Sequence, residues 1–260
     1  MIWKRKPPEV SSHGEENDLE RSLRLAAGDP GHRPDFYACL LDSTVYVLGH
    51  AGDGGSGSRT VEAGDTVSIQ SWARPDGSPI VPFFSSMALL RRAIDAESEY
   101  LRLPARSLLE ITKGQPLVLN PGAPYGKEFT PNEIAALLCD GTAPMPETRV
   151  IAKQTEVALG QPADYPNKMV DALSSFFAQR ASVRAAYLAL MHDRARDEKP
   201  NLVVGIAVDD DALPVVREAG TVISATTPQG QPVDMVIVEP GGGEMSEYFL
   251  TEVEPFYERS

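Results

Sequence analysis

The stretch Leu117-Val118-Leu119-Asn120-Pro121-Gly122-Ala123-Pro124-Tyr125-Gly126-Lys127-Glu128-Phe129-Thr130-Pro131-Asn132-Glu133-Ile134 mixes strand and helix within a few residues. Leu117 to Leu119 is a short apolar run and predicts a buried strand. Thr130-Pro131-Asn132-Glu133 predicts a capping box with proline at the first helical position, and Phe129 with Ile134 fits a hydrophobic staple. That reading gives Thr130 and Glu133 structural work. It also makes Asn120–Glu128 a proline- and glycine-rich connection held firmly at both ends.

Towards the N-terminus, Leu19, Leu23, Ala26 and Ala27 recur at helical spacing and Gly28 sits where a helix stops. Pro34 opens a second helix carrying Phe36 and Leu40. Thr44 to Leu48 predicts a strand, as does the alternation from Thr66 to Ala73. Pro75-Asp76-Gly77 then turns the chain into a partner strand over Pro79–Phe84. Ser86 caps a helix through Ile94, and Pro104 starts another that Gly114 ends. Towards the C-terminus, Arg149–Leu159 predicts a strand and a helix follows Pro166 with Met169, Leu173, Phe176 and Phe177 inward. Val183–Met191 fits either helix or strand. Leu202–Val208 and Val233–Val238 predict strands, and a helix after Asp209-Asp210-Asp211 closes at Gly220. The fold class expected is α+β, in two mixed domains, each a small sheet packed with helices. Asp140-Gly141 through Pro144, Pro146 and Glu147 places the division: a flexible tail over 1–14, one domain over 15–145 and another over 146–260.

Composition narrows the function. The 260 residues carry a formal charge of −13, divided −5 over 1–150 and −8 over 151–260. No general Lys/Arg excess is available for a polyanion, so nucleic acid is not an expected partner. No apolar run reaches membrane-spanning length, and the basic opening lacks the apolar stretch of a signal peptide. The expectation is a soluble cytoplasmic protein with no membrane partner.

Individual chemistries fail on their geometry. Cys39 falls mid-helix among Phe36, Leu40 and Leu41, and Cys139 ends a helix beside Asp140. Neither position favours a thiolate, so both are expected to be buried apolar fillers rather than nucleophiles. The four histidines are scattered and form no metal motif, and Asp209–Asp211 lacks the spaced ligands of a calcium loop; its expected role is to cap the next helix. No metal and no cofactor are expected. Gly52-Asp-Gly-Gly-Ser-Gly57 spells a dinucleotide fingerprint but opens no helix. Gly122 to Glu128 lacks one spacer residue and the metal-binding hydroxyl of a phosphate loop. Gly241–Gly243 reads as a flexible connection, and no nucleophile elbow exists. What remains is a surface for binding. Asn120, Pro121, Gly122, Tyr125, Gly126, Lys127, Glu128 and Phe129 are its candidate residues, with Asn120, Tyr125, Lys127 and Glu128 displayed outward.

Asn17-Asp-Leu-Glu20 through Tyr37, the segment Asn120-Pro-Gly to Gly126-Lys-Glu-Phe129 and Glu133-Ile134, and the closing Glu254-Pro-Phe-Tyr257 together resemble the SseB family. The resemblance spans nearly the whole chain from about residue 15. It implies an N-terminal SseB domain followed by a C-terminal one, a bacterial cytoplasmic setting, and a strand over Val183–Met191. The family takes its name from enhanced serine sensitivity on overexpression, a phenotype rather than a reaction, and it supplies no catalytic residues to carry over. The leading expectation is a non-enzymatic binding or regulatory protein with a protein or small-molecule partner. The alternative is a rhodanese-like sulfurtransferase using Cys39 or Cys139. A secreted type III secretion component is the remaining alternative and would need long coiled coils or a membrane-inserting segment. Asp193, Asp197, Glu198, Asp209–Asp211 and the Glu244–Glu258 group could further offer an anionic face to a basic partner.

Overall fold

Thr44-Val45-Tyr46-Val47-Leu48 forms the heart of β1 (Thr44–Ala51) in the computed structural model, which describes residues 16–52, 67–141, 158–192, 200–228 and 231–259. The expected tail, the Asp53–Gly57 loop, most of the segment between the domains and the start of the Arg149 strand lie outside those residues. β1 pairs antiparallel with β5 (Tyr100–Pro104) and with β4 (Pro79–Phe84). β4 in turn runs parallel to β6 (Leu117–Leu119), and β6 antiparallel to β7 (Lys127–Phe129). The expected Thr66–Ala73 strand is two pieces, β2 (Val67–Ile69) on β1 and β3 (Trp72–Ala73) on β4, because its pairing partner changes between them.

Alternation decides which face each side chain joins. Val45 and Val47 are fully buried beneath α1 (Asp18–Gly28), α2 (Arg33–Asp42), α4 (Ala105–Ile111) and α5 (Pro131–Asp140). Leu48 points the other way and packs with Phe84 and with Leu90 of α3 (Met87–Ala93). Among the described residues, one face of this sheet therefore carries four helices and the other a single short one.

The second sheet is built on β9 (Val183–His192) and β10 (Asn201–Val208), with β11 (Val233–Ile237) parallel to β10. β8 (Ala158–Gly160) and β12 (Tyr257–Glu258) both pair with β9. Its strand assignment over Val183–Met191 agrees with the family resemblance. α6 (Asn167–Phe177) and α7 (Ala212–Thr226) cover one face and α8 (Glu244–Glu252) the other. Gly205 makes room for α8: a methyl there would sit 3.2 Å from the Phe249 ring. Gly220 does not close α7, which runs six residues further. The apolar stripe Val215, Ala219, Val222 and Ile223 continues through it, and their burial outweighs the cost of one helical glycine. The glycine run at 241–243 leads into α8, which its composition did not announce.

The two domains meet along a polar and close-packed seam. Ser175 of α6 donates to Asp29 at 2.5 Å. Arg180 reaches Asp35 of α2 and Glu218 of α7, both at 2.7 Å, while lying over the Phe176 ring at 4.7 Å. Gly31 presses against α6, where an added Cβ would stand 2.6 Å from the Ala172 carbonyl oxygen.

Candidate functional site

The segment Asn120–Phe129 crosses from the C-terminal end of β6 to the start of α5, and its residues fall into three groups. The first group builds the loop. Ala123 N–H donates to the Asn120 carbonyl at 3.1 Å, and Gly122 has φ 78°. With Pro121 in the preceding position this is a type II turn, which requires that positive φ. Gly126 passes so close to β6 that a Cβ would meet the Leu119 carbonyl oxygen at 2.8 Å. Pro121, Gly122 and Gly126 thus shape the connection.

The second group faces inward, against expectation. Asn120 is 2% exposed and adopts φ 51°, a left-handed conformation that asparagine tolerates better than most residues. Its side-chain oxygen accepts from the Ser85 amide at 2.9 Å, and its amide nitrogen donates to Ser85 Oγ at 3.0 Å. Ser85 Oγ donates onward to Glu20 at 2.8 Å, and Asn17 donates to the Ser85 carbonyl at 3.1 Å. Asn17 and Glu20 also form the capping box of α1. Asn120 is therefore a clip joining β6, β4 and the start of α1, not a displayed group; a buried polar side chain needs such partners. Phe129 is completely buried between Phe36 and Phe83. Lys127 folds back as well. Its ammonium bonds Glu133 at 2.9 Å and lies 4.8 Å from the Phe129 ring centroid and 5.9 Å from that of Tyr37.

Electrostatics follows from that packing. Burial acts to raise the Glu133 carboxyl, but the Thr130 amide and the Lys127 ammonium outweigh it and hold it below its ordinary value. Burial pushes the Tyr37 hydroxyl up, with Lys127 working in opposition. The capping box at Thr130 and Glu133 is present as expected, the Thr130 amide donating to Glu133 at 2.9 Å.

The third group is exposed. Glu128 faces solvent and pairs with Arg74, a partner on the neighbouring β-turn that sequence spacing alone does not reveal. Tyr125 is 45% exposed and is the one large hydrophobic side chain the loop holds out. Arg24 of α1, itself paired with Glu16 at 2.8 Å, is its electrostatic neighbour.

Elsewhere, Cys39 is half-buried with its sulfur 3.9 Å from the Ser43 hydroxyl. Cys139 is exposed, which corrects the expectation of burial. Ile134 and Leu137 define the inward stripe of α5, and Cys139 falls off it. Asp211 caps α7 through the Leu213 amide at 3.0 Å. Asp209 takes Arg184 at 3.2 Å and Arg259 at 2.8 Å, so Asp209 and Asp211 are engaged structurally. Among the described residues no three metal-ligating side chains gather, and no helix is long and apolar enough to cross a membrane. Of the acidic C-terminal group, Glu252 and Glu254 line an open cleft of about 420 Å³ with Gln161, Tyr165, Pro255 and Phe256. Asp193, Asp197 and Glu198 lie outside the described residues.

Fold and site together define a two-domain α+β protein with a rigidly mounted surface loop. The chain belongs to the SseB family: the SseB protein N-terminal domain matches residues 19–136 and the SseB protein C-terminal domain residues 151–259. It is 33% identical over 243 residues to Protein SseB of Escherichia coli (strain K12), covering 94% of this chain and 92% of that relative. Protein SseB of Shigella flexneri is similar to the same extent. No solved structure matches it.

Proposed function

We propose that this protein is a non-enzymatic, cytoplasmic binding or regulatory protein that holds a protein or small-molecule partner on the loop between β6 and α5. Tyr125 is the anchor, with Pro121 and Pro124 beside it and the Arg24–Glu16 and Arg74–Glu128 pairs at its margins. One observation carries this reading. The loop is fixed at one end by Asn120 and at the other by the Thr130 box, yet it holds a large aromatic side chain in solvent. Ordering such a loop in advance lowers the entropy lost on binding, and tyrosine is among the commonest anchors of interfaces. A phenotype named for overexpression also fits sequestration of a partner better than turnover.

The test separates binding from folding. Tyr125→Ala should leave the thermal midpoint unchanged while weakening retention of the native partner about 30-fold, as loss of a ~2 kcal/mol anchor does. Immobilised wild-type and variant proteins, challenged with cytoplasmic lysate and read by mass spectrometry, make the comparison. Equal retention of the same proteins by both would remove the loop from the binding face.

A further inference from the structure

The outer edge of β5 is complementary to itself. Gly49 N–H donates to the Glu99 carbonyl at 3.0 Å and Ala105 N–H to the Ser43 carbonyl at 2.8 Å. Between those bonds Val47 pairs with Leu101 and Val45 with Leu103. In an antiparallel ladder the N–H and C=O of one residue point to the same side, and that side alternates along the strand. Leu101 and Leu103 therefore bond β1, while Tyr100 and Arg102 direct their backbone groups outward. Among the described residues no strand takes that edge. The opposite edge of the sheet differs: β7 is three residues long, and the Lys127 ammonium covers the Glu128 carbonyl at 3.2 Å. Short length and lysine are the usual protections of an edge. β5 has five residues, and Leu101 and Leu103 are half-buried.

We propose that a second copy of this chain pairs antiparallel along β5, about a two-fold axis at Leu101. In that register Tyr100 of each copy lies opposite Arg102 of the other. Both residues point their backbone groups outward, so each Tyr100–Arg102 pair exchanges two hydrogen bonds and every outward group of the two residues is used. The side chains agree with the backbone. Tyr100, 48% exposed, and Arg102, also exposed, share the face that carries Tyr46, and the two-fold places each guanidinium against the opposing ring. A guanidinium within ~6 Å of a tyrosine ring is attracted by it. Pro104, which has no N–H, then faces Ser98 and ends the ladder. Centring the axis on Arg102 instead would oppose two guanidiniums and set Pro104 against the Tyr100 carbonyl. Charge and hydrogen bonding thus favour the Leu101-centred register over the Arg102-centred one and make the interface self-complementary.

Sedimentation velocity on the full chain, from micromolar to submillimolar concentration, reads the association directly. The wild type should shift reversibly from the 28.1 kDa monomer to a species of twice that mass. Tyr100→Arg opposes two cations and should weaken the dimer at least tenfold, whereas Tyr100→Glu opposes a carboxylate to Arg102 and should preserve it. Arg102→Pro removes both an outward N–H and the guanidinium and should also weaken it. Tyr100 is exposed, so the first two variants keep their fold and decide the matter even where the proline variant fails to fold. A wild type that stays monomeric throughout, or a dimer indifferent to Tyr100→Arg, overturns the proposal.

Discussion

Asn120 shows how one side chain can be necessary to a binding loop without touching a partner. It contributes through its backbone, which accepts φ 51°, and through its amide, which satisfies the buried Ser85 N–H and hydroxyl. The two contributions separate by substitution. Asn120→Gly keeps the conformational freedom but leaves the buried Ser85 N–H without its acceptor, a loss of about 1–3 kcal/mol. Asn120→Ala orphans the same N–H and also places a Cβ in the left-handed region, which adds about 1 kcal/mol. Urea unfolding of both variants should therefore rank wild type above glycine above alanine. Equal stability of the two variants would mean that the backbone conformation carries none of the cost. The sequence makes Asn120-Pro121-Gly122 readable as a turn, but not the direction of the asparagine. Ser85 lies thirty-five residues away and is joined to it only by the parallel pairing of β4 and β6.

Among the elements, α5 is the one whose start the sequence shows most completely, and its cap gives a pH prediction. Glu133 is held below its ordinary value of 4.5 in the folded protein. A depressed carboxyl stabilises the fold above its unfolded value and loses that contribution as pH falls towards the folded one. Wild type should therefore exceed Glu133→Gln in stability by up to about 1 kcal/mol at neutral pH, the worth of a carboxylate charge in a helix's first turn. That difference should shrink as pH drops below about 4.5, towards the folded value. Parallel urea titrations at pH 7 and at successively more acid values check it; a difference constant with pH would show that the carboxylate charge is not what matters. The remaining elements divide by length and partner. Long periodic segments such as α1, α6 and β10 are legible because many residues repeat one pattern. β5 and β7 are not: Tyr100–Pro104 reads as an approach to the helix at Pro104, and Lys127–Phe129 is too short to show a period. Tertiary pairing makes those strands, and the candidate surface changes with them, since Lys127 and Phe129 become inward residues of β7. The length of α7 is written in its apolar stripe, which continues through Val222 and Ile223 past Gly220.

At the scale of the whole molecule, α1 links the two places where geometry is most constrained. Its first turn shares Asn17 and Glu20 with the Ser85–Asn120 clip, and the residue after its last turn, Asp29, takes Ser175 of the second domain. A helix of eleven residues rises about 16 Å, so the loop and the domain seam are held by opposite ends of one short rod. This arrangement predicts that the domains unfold together, and Gly31 is the residue with which to test it. A methyl at Gly31 would stand 2.6 Å from the Ala172 carbonyl oxygen and 3.1 Å from the Phe176 nitrogen. Both are backbone atoms inside α6, which cannot rotate aside as a side-chain tip would. Gly31→Ala must therefore open the seam, separating Ser175 from Asp29 and drawing Arg180 away from Asp35, while each hydrophobic core stays intact beneath its own helices. Arg180→Ala removes the ionic bridge and the guanidinium's contact with the Phe176 ring but forces nothing between the domains, so it should cost about 1–2 kcal/mol and keep one transition. In scanning calorimetry the wild type and Arg180→Ala should show a single endotherm, and Gly31→Ala two. A single unshifted endotherm for Gly31→Ala would show that the close approach at Gly31 does not couple the domains.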